Sequence, residues 1–342
     1  ALLLLSGCSI FGIQVGEDSN GGARTPERRN LGGIFKSINK GASFVHKAKV
    51  TDKESIAKFD IAEIAFDPQE TLTLYVVIKR HGLWVTYNGG ESFEQLFSEP
   101  ITAIAIDPKH RGVIYIGAGP VVRVSTDGGS SWKSIFFLKN TASYIQTIAI
   151  DPINTKRLIT ASRNGFIFET RDQGVSWRKI QELKIKTLKT ILIDSEDPNI
   201  LYIASSQEGI FKTIDGGKSW TVSEKLKQNK GAEELGQLKL NPQNPKQLFL
   251  ASTYGLLRSE DGGSTWAILP LLTPVGSVKI QAVAFNPYNT QQLYYATSDA
   301  LFISRDGGLS WTVSPLPTTR RPTQILVDDF DPNILYIGVS SD

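Results

Sequence analysis

Few side chains in this 342-residue sequence are of types that do chemistry unaided. There is one cysteine, Cys8, and there are three widely separated histidines, His46, His81 and His110. A single thiol excludes a disulfide framework and a cysteine-clustered zinc site. The histidine spacing matches no zinc-protease helix. No metal, no cofactor and no catalytic residue is therefore expected. Carboxylates are plentiful, but most lie in repeated Asp-x-Gly and Asp-Pro contexts, where their ordinary role is to accept N–H groups of their own turn. Lys and Arg number 37 against 34 Asp and Glu, a net charge of +3. That balance, over this length, argues against a nucleic-acid binder. Apolar residues make up 40% of the chain, enough for a large core. No apolar run reaches the roughly 18 residues of a spanning helix.

Cys8 has a context of its own. Leu2 to Leu5, then Ser6-Gly7-Cys8, reads as the tail of a secretory signal. The tetrad Leu5-Ser6-Gly7-Cys8 resembles the lipobox of bacterial lipoproteins. In that family the chain is cut before the cysteine, whose thiol then carries diacylglycerol. The resemblance implies that residues 1–7 are a residual signal peptide and Cys8 a lipidation site. It also implies export to the bacterial cell envelope, at the outer membrane or the outer leaflet of the plasma membrane. Several acyl chains on one terminus hold a domain on a bilayer where a single chain does not. Ser9 is not aspartate, so the Gram-negative inner-membrane retention signal is missing. Residues 8–31 are rich in Gly, Ser, Asn and charge and are expected to form a flexible tether. Arg24, Arg28 and Arg29, interspersed with Glu27, read as solvated linker.

Stepping along the remainder, residues 32–342, shows one pattern repeated seven times. The eight-residue motif Ser/Thr-x-Asp-x-Gly-x-Ser/Thr-Trp begins at Ser37, Thr86, Ser125, Thr170, Thr213, Ser259 and Ser304. Its third position is Asn39, Asn88, Asp127, Asp172, Asp215, Asp261 and Asp306, and its last is Phe44, Phe93, Trp132, Trp177, Trp220, Trp266 and Trp311. The starts lie 39 to 49 residues apart, a spacing that suits a four-stranded propeller blade. Each interval holds an alternating run ending in Asp-Pro or Asn-Pro, a β-branched and aromatic run, a Gly turn and a third run that enters the motif. Period-two runs separated by Pro, Gly and Asp are strands; they are named A to D within each blade.

The motif resembles the Asp-box (BNR) repeat of sialidases, sortilin-type receptors, xyloglucanases and a photosystem II assembly factor. It is structural in character: one carboxylate per copy falls short of the roughly six to eight oxygens calcium wants. The first copy precedes any A–B pair, and the last A–B pair is followed by no motif. N-terminal strands C and D are therefore expected to join C-terminal strands A and B in one composite blade, giving an all-β, seven-bladed β-propeller without open edges.

The resemblance raises an enzymatic alternative, since such families include glycoside hydrolases. The segment before the first motif, Asn30 to Phe35, lacks the arginine with which sialidases grip a carboxylate, and sialidase propellers have six blades. Xyloglucanases place two carboxylates between tandem propellers, and this chain has length for one. The reading is thus a non-catalytic, lipid-anchored module that docks an envelope or membrane protein. The alternative is a glycan-binding or glycoside-hydrolase-like surface protein. Strand order gathers the B–C and D–A loops on one face, and loops on a rigid scaffold carry function. The candidate binding residues there are Arg80, His81, Arg163, Glu208, Tyr254 and Asp299 on B–C loops, and Tyr144, Arg320 and Arg321 on D–A loops. The four arginines form a candidate basic mouth for an acidic segment or a carboxylated glycan.

Overall fold

The computed structural model describes residues 29–139, 143–223, 226, 231, 232 and 234–341. Cys8 and most of the expected tether lie outside the described residues. Twenty-eight strands, numbered in chain order, form seven four-stranded antiparallel sheets arranged as the blades of a propeller. Blades 1 to 6 each use four consecutive strands, with inner A strands β3 (Ile61–Asp67), β7 (Ala103–Ile106), β11 (Ile145–Ile150), β15 (Leu188–Ile193), β19 (Leu235–Leu240) and β23 (Ala282–Asn286).

The seventh blade is composite, as expected. Its strands run β2 (Val45–Lys47), β1 (Gly33–Ser37), β28 (Leu335–Ser340) and β27 (Arg321–Val327). Phe35 pairs with Ile337 and Gly33 with Val339, so the start of β1 meets the end of β28. Pairing β1 with β28 leaves neither half-blade an unpaired edge at the seam for another chain to extend. The entry of the chain is stapled beside it: the Thr318 hydroxyl donates to the Arg29 and Leu31 carbonyls at 3.0 and 2.7 Å.

The core lies between blades. Each B strand buries a large side chain at the same register: Tyr75, Tyr115, Ile159, Tyr202, Phe249, Tyr294 and Tyr336. Alternation places the next residue on the other face of the sheet, so each blade packs against both neighbours. The A–B turns are built alike. A buried Asp or Asn carboxyl or amide oxygen accepts the N–H two residues on, as Asp67 does from Gln69 at 2.9 Å and Asn286 from Tyr288 at 3.0 Å.

The eight-residue motif forms the C–D turn. In its third copy the Ser125 hydroxyl donates to Asp127 Oδ1 at 2.8 Å and accepts the Gly129 N–H at 2.8 Å. The Ser131 hydroxyl donates to Asp127 Oδ2 at 2.6 Å. Asn39 and Asn88 keep this geometry with one bond reversed: the amide donates to Ser43 and Ser92, each at 2.9 Å. The motif's fifth residue must be glycine. Gly129 has φ 99°, and a Cβ there would lie 2.7 Å from Leu96 of the preceding blade. The closing aromatic reaches the same neighbour. Trp311 Nε1 donates to Pro270 O at 2.7 Å and stands edge-on to Tyr295.

These bonds make the motif acid-sensitive. Hydrogen bonds from Ser131 and Ser125 hold the Asp127 carboxyl at about 2, and those from Ser310 and Ser304 do the same for Asp306. A carboxyl depressed by folding favours the folded state above its ordinary range, and that contribution is lost as pH falls through the depressed value. Asn39 and Asn88 carry no such dependence. Replacing all five motif aspartates by asparagine should preserve the fold and flatten the decline of the urea midpoint between about pH 4 and 2. Urea unfolding at stepped pH checks this; an unchanged slope would contradict it.

Candidate functional site: the channel and its mouth

Six A strands, β3, β7, β11, β15, β19 and β27, line an axial channel of about 880 Å³. They hold it open with side-chain bridges. Gln324 Oε1 accepts the Ile64 N–H at 2.7 Å, Gln237 Oε1 accepts the Val283 N–H at 3.0 Å, and Gln237 Nε2 donates to Thr323 O at 2.9 Å. Most A strands carry a bulge near their start, where the register shifts, as between Ile61 and Glu63 or Leu188 and Thr190. A bulge sets two residues against one and re-aims their side chains. That is how polar groups from an alternating strand enter the channel.

The B–C turns and D–A loops gather around one mouth. Arg163, at the B–C turn of blade 3, is exposed and lies over the Tyr144 ring, 5.7 Å from its centroid. Its carbonyl accepts the N–H of Leu188, the first residue of β15. Next along that strand stands Lys189. Burial pushes the Lys189 ammonium down, and the neighbouring charges of Lys279 and Arg163 push it further the same way. Lys189 thus lies within electrostatic reach of cations from two other blades, Arg163 above the Tyr144 ring and Lys279, with which it lines one surface pocket beside Glu234. Among the described residues lining the channel, the charged side chains are Glu63, Lys79, Lys189 and Lys239.

The other candidate residues have separate surroundings. Arg80 sits at the tip of its turn with φ 64°, and the His81 ring beside it packs tilted against Phe59, centroids 4.1 Å apart. Glu208 accepts the Lys186 N–H at 3.2 Å and the Ser205 hydroxyl. Tyr254 is half-buried against the Leu226–Ala232 cluster. Asp299 accepts the Ser298 hydroxyl at 2.8 Å. Arg321 is exposed at the start of β27, paired in register with Ser340. Arg320 is engaged within the protein. Its guanidinium donates to Asp60 at 2.8 Å and Asn30 at 2.9 Å, and to the carbonyls of Lys58 and Phe59. Asp60 in turn accepts the Ser341 N–H and hydroxyl, each at 2.7 Å. Arg320 therefore clasps the closing blade, because a planar fork satisfies several acceptors at once.

The structure brings Arg163 and Tyr144 together and adds Lys189 and Lys279, which the sequence reading missed. Lys239 and Glu63 were missed as well. Aligning the seven A strands on their turn Asp or Asn would have exposed them as lone charges among Ala, Thr, Leu and Gln. No three metal-ligating side chains converge among the described residues.

No protein-family model and no curated protein sequence matches the chain. Solved structures do match in fold. The GH74 xyloglucanase from Xanthomonas campestris is 17% identical with a TM-score of 0.65, and the match covers 86% of this chain and 52% of that one. YCF48 bound to a D1 peptide is 18% identical with a TM-score of 0.63, covering 86% of this chain and 98% of that one. YCF48 from Cyanidioschyzon merolae is 15% identical with a TM-score of 0.62, covering 83% and 97%. The chain thus spans about half of the xyloglucanase and nearly all of YCF48. What is shared at these identities is the architecture: this chain is a seven-bladed propeller similar in fold both to a glycoside hydrolase and to a protein seen holding a peptide.

Proposed function

We propose that this propeller is a non-catalytic docking module whose channel mouth binds an acidic segment of an envelope protein. The observation that carries this reading is that Lys189 and Lys279 line one pocket at the mouth, with Arg163, over the Tyr144 ring, bonded through its carbonyl to the residue before Lys189. Like charges held close cost free energy unless an anion joins them, and they steer such an anion from a distance. The likeness to YCF48 with its bound peptide supports a protein as the partner class. Inverting glycoside hydrolysis needs two carboxylates roughly 6.5–9.5 Å apart. Among the described residues lining the channel, Glu63 is the one carboxylate. By its resemblance to a lipobox, Cys8 anchors the module, and the Asp-box character of the motif makes the blades a rigid support for the loops.

The test is site-specific photo-crosslinking of the full lipidated chain in its own membranes. Probes at Lys186 and Tyr254 near the mouth should capture one common protein. A probe at Lys218, in a C–D turn on the opposite face, should not. Changing Arg163, Lys189 and Lys279 to Glu should abolish that capture. Capture that survives the reversal would sink the docking reading, as would release of reducing sugar from xyloglucan by the pure protein. A Cys8→Ser chain should leave the membrane fraction; one that stays would remove the anchor from the proposal.

A further inference from the structure

Two charges in the channel wall have no role in the fold or at the mouth. Glu63 lies on β3, four residues before the turn residue Asp67, and Lys239 on β19, two before Asn241. The sister blades show what the fold requires at these places. Opposite Glu63's position stand Ala103, Thr147, Thr190, Gln237, Ala282 and Gln324; opposite Lys239's stand Ala65, Ala105, Ala149, Leu192, Ala284 and Leu326. Five blades out of seven close without a charge at either site.

Neither charge is satisfied by the protein. Each feels the other's charge, from blades facing across the ring, and among the described residues neither makes a hydrogen bond or an ion pair. Both border the open channel and are half-exposed, yet seven blades enclose them laterally. Burial raises the Glu63 carboxyl to about 7, moderated by Lys239, and burial lowers the Lys239 ammonium. Enclosed opposite charges that do not touch leave two desolvated groups seeking partners. A guest that carries the complementary charges at its two ends would satisfy both.

We propose that the axial channel binds a small zwitterion, its carboxylate toward Lys239 and its ammonium toward Glu63. The two charges are distinct from those of the mouth, although Lys189 lines the same channel, and the guest is a small molecule of the amino-acid class. An ammonium arriving beside Glu63 favours the carboxylate form, so binding releases a proton from the protonated fraction.

The experiment is calorimetric titration of the full chain at low salt with glycine, β-alanine, 4-aminobutyrate and 6-aminohexanoate. One chain length should bind best, since the two charges are a fixed distance apart. Lys239→Ala and Glu63→Thr copy residues that sister blades already use, so both should fold, with thermal unfolding as the check. Each should weaken the best ligand at least tenfold, and the double variant should be little worse than either single. The carboxylate that lacks only the best ligand's amino group should bind at least tenfold more weakly than that ligand. The proposal fails if no chain length binds, if Lys239→Ala leaves binding intact, or if that carboxylate matches its amino analogue.

Discussion

A chain ending at Asp329, without β28, will not reach a folded monomer. β28 is the shared partner of two strands: it pairs with β27 along Leu335–Ser340 and with β1 along Leu335–Val339. Leu335, Ile337 and Val339 are fully covered in the core cluster that also contains Phe35 and Leu301 of blade 6. Tyr336 faces the other way, into the cluster shared with Ile64 and Val76 of blade 1. Removing the strand opens the ring on both sides, strands β1 and β2 lose their sheet, and two blade edges are bared for aggregation. Gel filtration and circular dichroism would show an aggregate or an expanded chain; a soluble, cooperatively unfolding monomer would contradict the account. Connectivity, in contrast, is dispensable. Ser340 and Gly33 end and begin adjacent strands, which blade 1 joins through the short turn Lys79–His81. A permuted chain that links Ser341 to Gly32 through a few residues and opens near Gly276, in the exposed loop between blades 5 and 6, should fold as the parent does.

The second large effect concerns a buried ion network in blade 3. Glu169, fully covered, accepts Arg157 Nε at 2.7 Å, Arg171 Nη2 at 3.1 Å and Arg178 Nε at 2.8 Å. Arg157, itself buried, also meets Asp151 at 3.3 Å and donates to the Pro198 carbonyl in blade 4. Burial alone would raise the Glu169 carboxyl, but hydrogen bonds from Arg171, Arg157 and Arg178 outweigh it and hold it below its ordinary value. Its contribution to stability is therefore present above the ordinary carboxyl range and lost on acidification. Removing one member of a buried pair strands the other: Glu169→Leu should cost about 3–5 kcal/mol. Arg171 and Arg178 are largely exposed and should cost below about 1 kcal/mol each. Blade 6 shows a neutral solution at the same place, where Asn286 Nδ2 donates to Gln292 Oε1 and Gln292 Nε2 to the Pro332 carbonyl, each at 3.3 Å. Replacing the whole network is often nearly neutral. Asp151→Asn, Arg157→Gln and Glu169→Val together should thus recover most of the loss, as urea unfolding of the single and triple variants would show. A triple variant no more stable than Glu169→Leu would mean that blade 3 depends on the charges themselves.

What could be read in advance divides along a physical line. Turn chemistry is local, and it declared the blades. Asp or Asn before Pro marks each A–B turn, and a hydroxyl, a carboxyl or amide and a glycine at fixed offsets mark each C–D turn; these groups bond one another within a few residues, so neighbours in sequence suffice. The composite blade was legible for the same reason, since an unpaired C–D half at Gly33–Phe44 and an unpaired A–B half at Thr323–Val339 are each recognisable alone. The candidate site was legible only in part. Arg163 and Tyr144 were identified and do meet, but Arg320 is committed to Asp60 and two carbonyls some 260 residues away in the chain. Lys189, Lys239 and Glu63 were passed over because a bulge near the start of an A strand breaks the two-residue period by which facing is read. The sequence by itself determined the number, order and closure of the blades, because those follow from bonds between residues a few positions apart. Only the tertiary structure decided which charges share the channel and which arginine is consumed in holding the ring shut, because those depend on backbones brought together from opposite sides of a circle.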